Sequence, residues 1–233
     1  MPQHRVVSHE EWIAARREHL AREKEFTRLR DELSRARREL PWERIDKEYV
    51  FDASAGRKTL ADLFEGRSQL IVYHFMFGPD WSEGCKMCSF WADNFAGAVD
   101  HLKHRDVTMI AVSRAPLERL LAFRKRMGWR FEWASSLGND FNRDFGVTFT
   151  PEEVAKGETF YNYNVSKFPV EEAPGVSAFY RSGDGEVFHT YSCYARGLDM
   201  LNGAYHYLDI APKGRDEAAL PYPMEWVRHH DKY

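Results

Sequence analysis

Two cysteines, Cys85 and Cys88, flank Lys86 and Met87 in the run Gly84-Cys-Lys-Met-Cys-Ser89. At this spacing they can share one helical turn and close a disulfide. Ionised, either sulfur is a nucleophile or a metal ligand. The chemistry therefore depends on what moves a thiol from its ordinary pKa of about 8.5. Lys86, between the two, favours the thiolate, whereas Asp80 and Glu83 oppose it by like-charge repulsion. Trp81, just upstream, is a candidate cover for the pair. His74 reads as a buried, hydrogen-bonded histidine or as a proton shuttle, and Arg114 as a solvated strand-end residue or a thiolate partner. Cys193 reads as a small, half-buried hairpin residue, with a third redox thiol as the minor reading.

Those side chains need elements to hold them. Leu70 to Phe77 is a short aromatic and β-branched run, as in a buried strand, and Gly78 and Pro79 stop it. A helix is predicted to start near Cys88, with Phe90, Trp91, Phe95, Val99 and Leu102 along one face. The pair thus falls at a helix N-terminus, where unpaired N–H groups and a partial positive charge stabilise a thiolate. Strand, turn, Cys-x-x-Cys and helix together form the thioredoxin-like redox arrangement.

Upstream, residues 8–39 read as a long helix opened by a Ser8/Glu11 capping box, with Trp12, Leu20, Phe26, Leu29 and Leu33 as an apolar stripe. The stripe suits packing on the domain or on a second copy, the latter making a homodimer through this helix; a basic surface at Arg35, Arg37 and Arg38 for an acidic partner is the minor reading. Tyr49–Phe51 is strand-like, Ala53–Arg57 a turn, and Thr59–Phe64 a short helical turn. Downstream come a strand at Val107–Val112, a helix from Pro116 to Met127, a short strand at Phe131–Ala134 and a short helix at Phe141–Val147. Residues 150–175 hold Pro151, Gly157, Pro169 and Pro174 with no clean period, and read as a long surface insertion. Val176–Tyr180 and Glu186–Tyr191 bracket Ser-Gly-Asp-Gly as a hairpin. A helix at Gly197–Leu208 and a polar tail follow. If that helix packs beside the cysteine turn, some of Tyr191, Tyr194, Arg196, Tyr205, His206 and Tyr207 line a pocket; otherwise they are core and helix-face residues.

The alternation of β and α units predicts an α/β fold, a central mixed sheet flanked by helices with a long N-terminal helical extension. The expected division is an extension over 1–40, a thioredoxin-like domain over 41–212 and a tail over 213–233. Formal net charge is −3, which argues against nucleic acid as a partner. No apolar stretch reaches the ~20 residues of a membrane span. The first residues lack a leader's apolar core, and three cysteines are too few for a secreted disulfide framework, so a cytoplasmic protein is expected. With no Gly-x-Gly-x-x-Gly and no P-loop, no organic cofactor is expected; no metal is assigned either, because only Cys193 and scattered histidines could complete a zinc site.

Leu60-Ala-Asp-Leu-Phe-Glu-Gly-Arg67 and Phe179-Tyr-Arg-Ser-Gly-Asp-Gly-Glu-Val-Phe188 resemble the peroxiredoxin branch of the thioredoxin superfamily. A resemblance across nearly the whole chain is to the bacterial thioredoxin-like family known as domain of unknown function 899. It is carried by Leu40-Pro-Trp42, Tyr73-His-Phe-Met-Phe-Gly-Pro-Asp-Trp81, Cys85 to Asn94, and Tyr191 to Leu208. The peroxiredoxin resemblance puts Cys88 at the peroxidatic position and Cys85 where that family carries threonine, a departure that favours dithiol exchange. The thioredoxin resemblance, aligned on Phe179, puts Val176 at the position of the proline that faces the cysteines, with Pro174 two residues earlier.

The expected function is thiol–disulfide exchange, with Cys85 attacking and Cys88 resolving. Its expected partners are a protein or small-molecule thiol or disulfide and a cellular thiol reductant. Two other readings stand beside it: a non-catalytic thioredoxin-fold protein that binds a ligand or metal, and a peroxiredoxin-like thiol peroxidase.

Overall fold

The computed structural model describes residues 4–233; the first three residues, part of the expected extension and of the leader reading, lie outside it. Contacts divide the chain into two compact units, residues 1–41 and 42–233.

The first unit is the helix α1 (His9–Arg38). Its capping box is reciprocal: Glu11 N–H donates to Ser8 Oγ at 3.3 Å and Ser8 N–H to Glu11 Oε2 at 3.0 Å, satisfying N-terminal donors. Arg35, Arg37 and Arg38 complement the dipole in the last turn. No residue of α1 is buried, and Trp12, Phe26, Leu29 and Leu33 are each more than half exposed.

The second unit contains, in chain order, β1 (Glu43–Arg44), β2 (Val50–Ala53), β3 (Gly56–Thr59), a 3-10 turn at Asp62–Phe64, β4 (Gln69–His74), α2 (Lys86–Phe95), α3 (Val99–His104), β5 (Val107–Ser113), α4 (Leu117–Arg126), β6 (Glu132–Ser135), α5 (Phe141–Asp144), α6 (Pro151–Lys156), β7 (Thr159–Tyr161), β8 (Asn164–Ser166), β9 (Gly175–Arg181), β10 (Val187–Tyr194), a 3-10 stretch at Ala195–Leu201, α7 (Gly203–Ile210) and a last 3-10 turn at His230–Lys232. Eight strands form one mixed sheet in the order β1-β10-β9-β4-β5-β6-β2-β3. β4, β5 and β6 run parallel, whereas β9 is antiparallel to β4 and β10 to β9. A βαβ unit led by the cysteine strand, joined to an antiparallel hairpin on its other side, is the thioredoxin-like topology that the element order implies.

Side-chain alternation along β4 builds the two faces. Ile71, Tyr73 and Phe75 meet α2, α4 and α7 in one core, with Cys88, Trp91, Phe95, Phe123, Trp133 and Tyr205. Leu70 and Val72 meet Leu63, Phe64, Phe141, Phe145 and Phe179 in the other. The smaller β7–β8 sheet sits in a third cluster, where Tyr161 packs with Phe149 and Tyr194.

Several elements differ from expectation for local reasons. The helix expected to run from Cys88 through Leu102 breaks between α2 and α3 around Gly97, whose missing side chain makes helix interior unfavourable. The expected Gly197–Leu208 helix is a 3-10 stretch followed by α7, because Asn202 caps the new start: Tyr205 N–H donates to its Oδ1 at 3.1 Å. Residues 150–175 are more ordered than their composition suggests. Thr150 and Glu153 form a second capping box, Pro151 starts α6, and Gly157 ends it with φ +69°. The segment expected as a polar tail contributes Val227 and His229, both buried, and Met224 and Trp226, packed against the cysteine-side core.

Candidate active site

Cys85 is the N-cap of α2, and its N–H donates to Met76 O at 3.1 Å, tying the turn to the end of the strand. Between them the chain makes two close approaches that only glycine allows. A Cβ at Gly84 would lie 2.7 Å from Phe75 Cε1, and one at Gly78 would lie 2.9 Å from Trp81 Nε1. Arg119, from α4, pins the loop by donating from Nη1 to Pro79 O at 2.6 Å and Trp81 O at 2.8 Å. From the C-terminal segment, His229 Nε2 hydrogen-bonds Gly84 O at 2.9 Å, and Lys86 Nζ donates to Glu225 O at 2.8 Å. Glu83 is held away by Arg126 at 2.8 Å and Lys232 at 3.0 Å.

The two sulfurs are free thiols in unlike surroundings. Cys85 is half-buried; Cys88 is 2% exposed. The Cys88 thiol hydrogen-bonds the Cys85 sulfur and, with the N–H groups of Cys88 and Met87 and the charge of Lys86, brings the Cys85 pKa down to about 7 against the opposing effect of burial. Burial pushes the Cys88 thiol up, and the neighbouring Cys85 reinforces this. Met76 N–H faces the Cys88 sulfur at 3.4 Å, and Tyr73 Oη reaches Cys88 O at 3.4 Å. The arrangement leaves Cys85 about half ionised at pH 7 and keeps Cys88 a protonated neighbour.

Both cysteines line a cavity of about 970 Å³. Trp81, Trp91, Tyr73 and Met76 form its cysteine side. Tyr161 and Phe168 enter from the 150–175 segment, Tyr205 from α7, and Ala218, Pro223 and Met224 from the C-terminal segment. The last of these walls is held by one carboxylate: Glu217 Oε1 accepts from Tyr205 Oη at 2.8 Å, Trp226 Nε1 at 2.7 Å and Met224 N–H at 3.0 Å. Arg215 lies 3.9 Å over the Tyr205 ring and pairs with Asp209 at 2.8 Å and Asp199 at 3.1 Å.

Of the residues that the sequence suggests, Cys85, Cys88 and Trp81 share this cavity and Lys86 flanks it. Three others lie outside the cavity lining, although Val176 packs in the same core as Cys88, Tyr73 and Met76. His74 follows Val72 onto the opposite face of β4, packed at 5.5 Å from Phe141 and 5.8 Å from Phe145. Burial lowers its pKa to about 3, so the ring is neutral, and Nε2 bonds Ser177 Oγ at 2.8 Å. That hydroxyl continues a chain through Ser192 Oγ at 2.8 Å to His189 Nε2 at 2.7 Å, away from the cysteines. Arg114 pairs with the buried Glu172 at 2.8 Å, also apart from the cavity lining. Val176 is buried in register with Tyr73, and Pro174 instead reaches the cavity. Of the late polar–aromatic segment, Tyr205 and Arg196 line the cavity, whereas Tyr207 is 78% exposed. Among the lining residues absent from the sequence reading, Phe168, Arg215, Glu217 and Met224 come from segments with no regular period, and only the aromatic or charged character of the first three gives a signal. Among the described residues no three His, Cys, Asp or Glu side chains converge as metal ligands do, and no helix is long and apolar enough to cross a membrane.

Comparison with known proteins gives one family. The family described as bacterial protein of unknown function (DUF899) matches residues 1–233. No curated protein matches the chain. Among solved structures, the chain is similar to the peroxidoxin BcpB from Mycobacterium tuberculosis, at 10% identity and a TM-score of 0.45 over 70% of this chain and 93% of that one. It is also similar to a cysteine-to-serine mutant of peroxiredoxin Q from Xanthomonas campestris, at 15% identity and a TM-score of 0.42 over 68% and 90%. A hypothetical protein from Sinorhizobium meliloti is similar at 14% identity and a TM-score of 0.44 over 73% and 82%.

Proposed function

We propose a function for this chain, which belongs to the DUF899 family of bacterial proteins of unknown function, from the chemistry of its cavity: it is a thiol–disulfide oxidoreductase. The observation that carries this reading is the asymmetry of the pair. Cys85, half-buried on the cavity wall, has its pKa lowered to about 7, and the neighbouring Cys88 is sealed with its thiol pushed up. An attacking thiol works best with a pKa near ambient pH. The resolving thiol must stay protonated until a mixed disulfide forms beside it.

In the forward direction the Cys85 thiolate attacks one sulfur of a substrate disulfide and expels the other half as a thiolate. Cys88 then loses its proton and attacks Cys85 Sγ, releasing the second half and leaving the Cys85–Cys88 disulfide. Two equivalents of a cellular thiol, or one dithiol, return the pair to the reduced state and become the oxidised product. Lys86 lowers the charge cost at Cys85, Trp81 covers the turn, and Arg119 keeps the turn's carbonyls in place.

A thiol peroxidase with Cys88 as peroxidatic residue fits less well, because its sulfur is buried and its pKa is raised. The reading is tested by equilibrating the protein in thiol/disulfide buffers and reading the oxidised fraction by mass. A reversible two-electron couple between about −300 and −120 mV is expected, the range of known dithiol enzymes. Cys85→Ser should abolish turnover of a model disulfide. A pair that never oxidises in these buffers would overturn the proposal.

A further inference from the structure

We infer that the substrate is a small, neutral, largely apolar organic disulfide, and that neither a protein disulfide nor an anionic one such as glutathione disulfide is turned over efficiently. The inference rests on the dithiol reading above and adds what the cavity would accept. At about 970 Å³ the space has the size of a small-molecule pocket, whose usual range is ~300–1,000 Å³. Its lining includes Trp81, Trp91, Tyr161, Phe168, Tyr205 and Met224 together with the two cysteines, so a ligand that fills it meets rings and a thioether.

Apart from Arg196, whose side chain is 88% exposed and pairs only with Asp199 at 3.2 Å, the charged groups of the lining are already committed. Arg215 is spent on Asp209, Asp199 and the Tyr205 ring, and Glu217 Oε1 receives three hydrogen bonds from the wall itself. Two arginines, Arg196 and Arg215, face three carboxylates, Asp199, Asp209 and Glu217, so the lining carries no surplus positive charge. An anionic ligand would be desolvated against a lining with more carboxylates than guanidiniums, with only the solvent-exposed Arg196 left to receive it. Access is selective as well. Cys85 is half-buried, and the cavity it lines is also walled by Phe168–Val170 and Pro223–Met224. A disulfide fixed in a folded protein would have to bring its own backbone into that space to reach the 3–3.5 Å at which attack occurs.

The reaction is the one written above with R–S–S–R as oxidant: the first R–S⁻ leaves when Cys85 attacks, and the second leaves when Cys88 closes the protein disulfide. The test measures single-turnover oxidation of the fully reduced protein by dibenzyl disulfide, bis(2-hydroxyethyl) disulfide, glutathione disulfide and insulin, followed by mass. Each rate is divided by that of free dithiothreitol with the same oxidant, which removes intrinsic reactivity. Dibenzyl disulfide is expected to exceed glutathione disulfide by at least 100-fold on this scale, with insulin unreduced. Dibenzyl sulfide, which has no bond to exchange, is expected to quench or shift tryptophan emission saturably and to slow the reaction competitively. Equal normalised rates, or a preference for insulin or glutathione disulfide, would overturn the inference while leaving the dithiol reading intact. Failure to oxidise with any of the four and in thiol buffers would instead overturn the dithiol reading. Ala218→Glu, which places a negative charge in the lining, should abolish the preference for dibenzyl disulfide over bis(2-hydroxyethyl) disulfide and the saturable change in tryptophan emission with dibenzyl sulfide; a retained preference would overturn the assignment of this cavity as the binding site.

Discussion

Replacing Cys88 by alanine should raise the pKa of Cys85, because the largest influence lowering it is the hydrogen bond from the Cys88 thiol. With its pKa at about 7, Cys85 is half ionised at pH 7. A thiol at the ordinary value of about 8.5 is only ~3% ionised there, so the protein gains about 15-fold in thiolate. Part of that gain is offset, since a less basic thiolate is a weaker nucleophile. With a Brønsted exponent of ~0.4–0.5 over ~1.5 pH units, each thiolate is about 5-fold slower, leaving a net advantage of about 3-fold at pH 7. In Cys88→Ala the N–H groups of Cys88 and Met87 and the charge of Lys86 remain, so the midpoint should move part of the way toward 8.5. The assay is the pH dependence of Cys85 alkylation by iodoacetamide, read by peptide mass. The wild type should show a midpoint near 7. The alanine variant should show one higher by a unit or so, up to 3-fold less reactivity at pH 7 and a higher plateau above pH 9. Cys88→Ser keeps a donor and should stay close to the wild-type midpoint. A wild-type midpoint at or above 8.5, or superimposable wild-type and alanine profiles, would refute the account of the site's electrostatics.

Two further outcomes follow from the packing. Gly84→Ala places a methyl 2.7 Å from Phe75 Cε1 and 3.0 Å from Phe123 Cε1, both on buried rings, so it should cost ~1–3 kcal/mol and lower Tm by roughly 3–10 °C. Gly97→Ala, with no atom within 4 Å, is the neutral control in the same melting experiment, and equal Tm values for the two would contradict the close approach. The carboxyl of Glu172, pushed up to about 7 by burial with Arg114 opposing, binds its proton more tightly folded than unfolded. Its contribution to stability therefore falls as pH rises from about 4.5 to about 7, and the cost is complete above that. Glu172→Gln removes the titration, so urea unfolding should show the variant gaining ~1–3 kcal/mol on the wild type between pH 5 and pH 8. A pH-independent difference would show that the carboxyl stays ionised throughout.

How much of this was legible in the residues depends on chain distance. The strand, turn, Cys-x-x-Cys and helix are contiguous, so apolar runs and the Gly78–Pro79 stop are enough to put the pair at a helix N-terminus, although the start expected near Cys88 falls at Lys86, with Cys85 as the N-cap. Period-two alternation also separates His74 from Tyr73, yet alternation names no face as the cysteine face; only packing of α2 does that. Arg114 was ambiguous because its partner, Glu172, lies in a distant segment that happens to return beside it. Residues 150–175 hid a short-range signal in plain composition: Thr-Pro-Glu-Glu from Thr150 is a capping box with proline at the first helical position. The C-terminal segment was the least legible. Its role depends on Glu217 collecting three donors, a geometry without period or motif.

The burial of Cys88 beside a half-buried Cys85 also governs how the protein ages under oxidants. A peroxide that enters the cavity meets Cys85 first, the more exposed and more acidic sulfur. Its sulfenic acid would form within reach of a protonated thiol, and condensation to the disulfide is reversible, whereas a second oxidation to the sulfinic acid is not. On the proposed dithiol reading, Cys88 would act as a trap on the oxidation ladder, converting an injury at Cys85 into a state that ordinary thiols repair. Loss of Cys88 would then leave Cys85 to accumulate irreversible damage, and the buried cysteine would set the working lifetime of its neighbour.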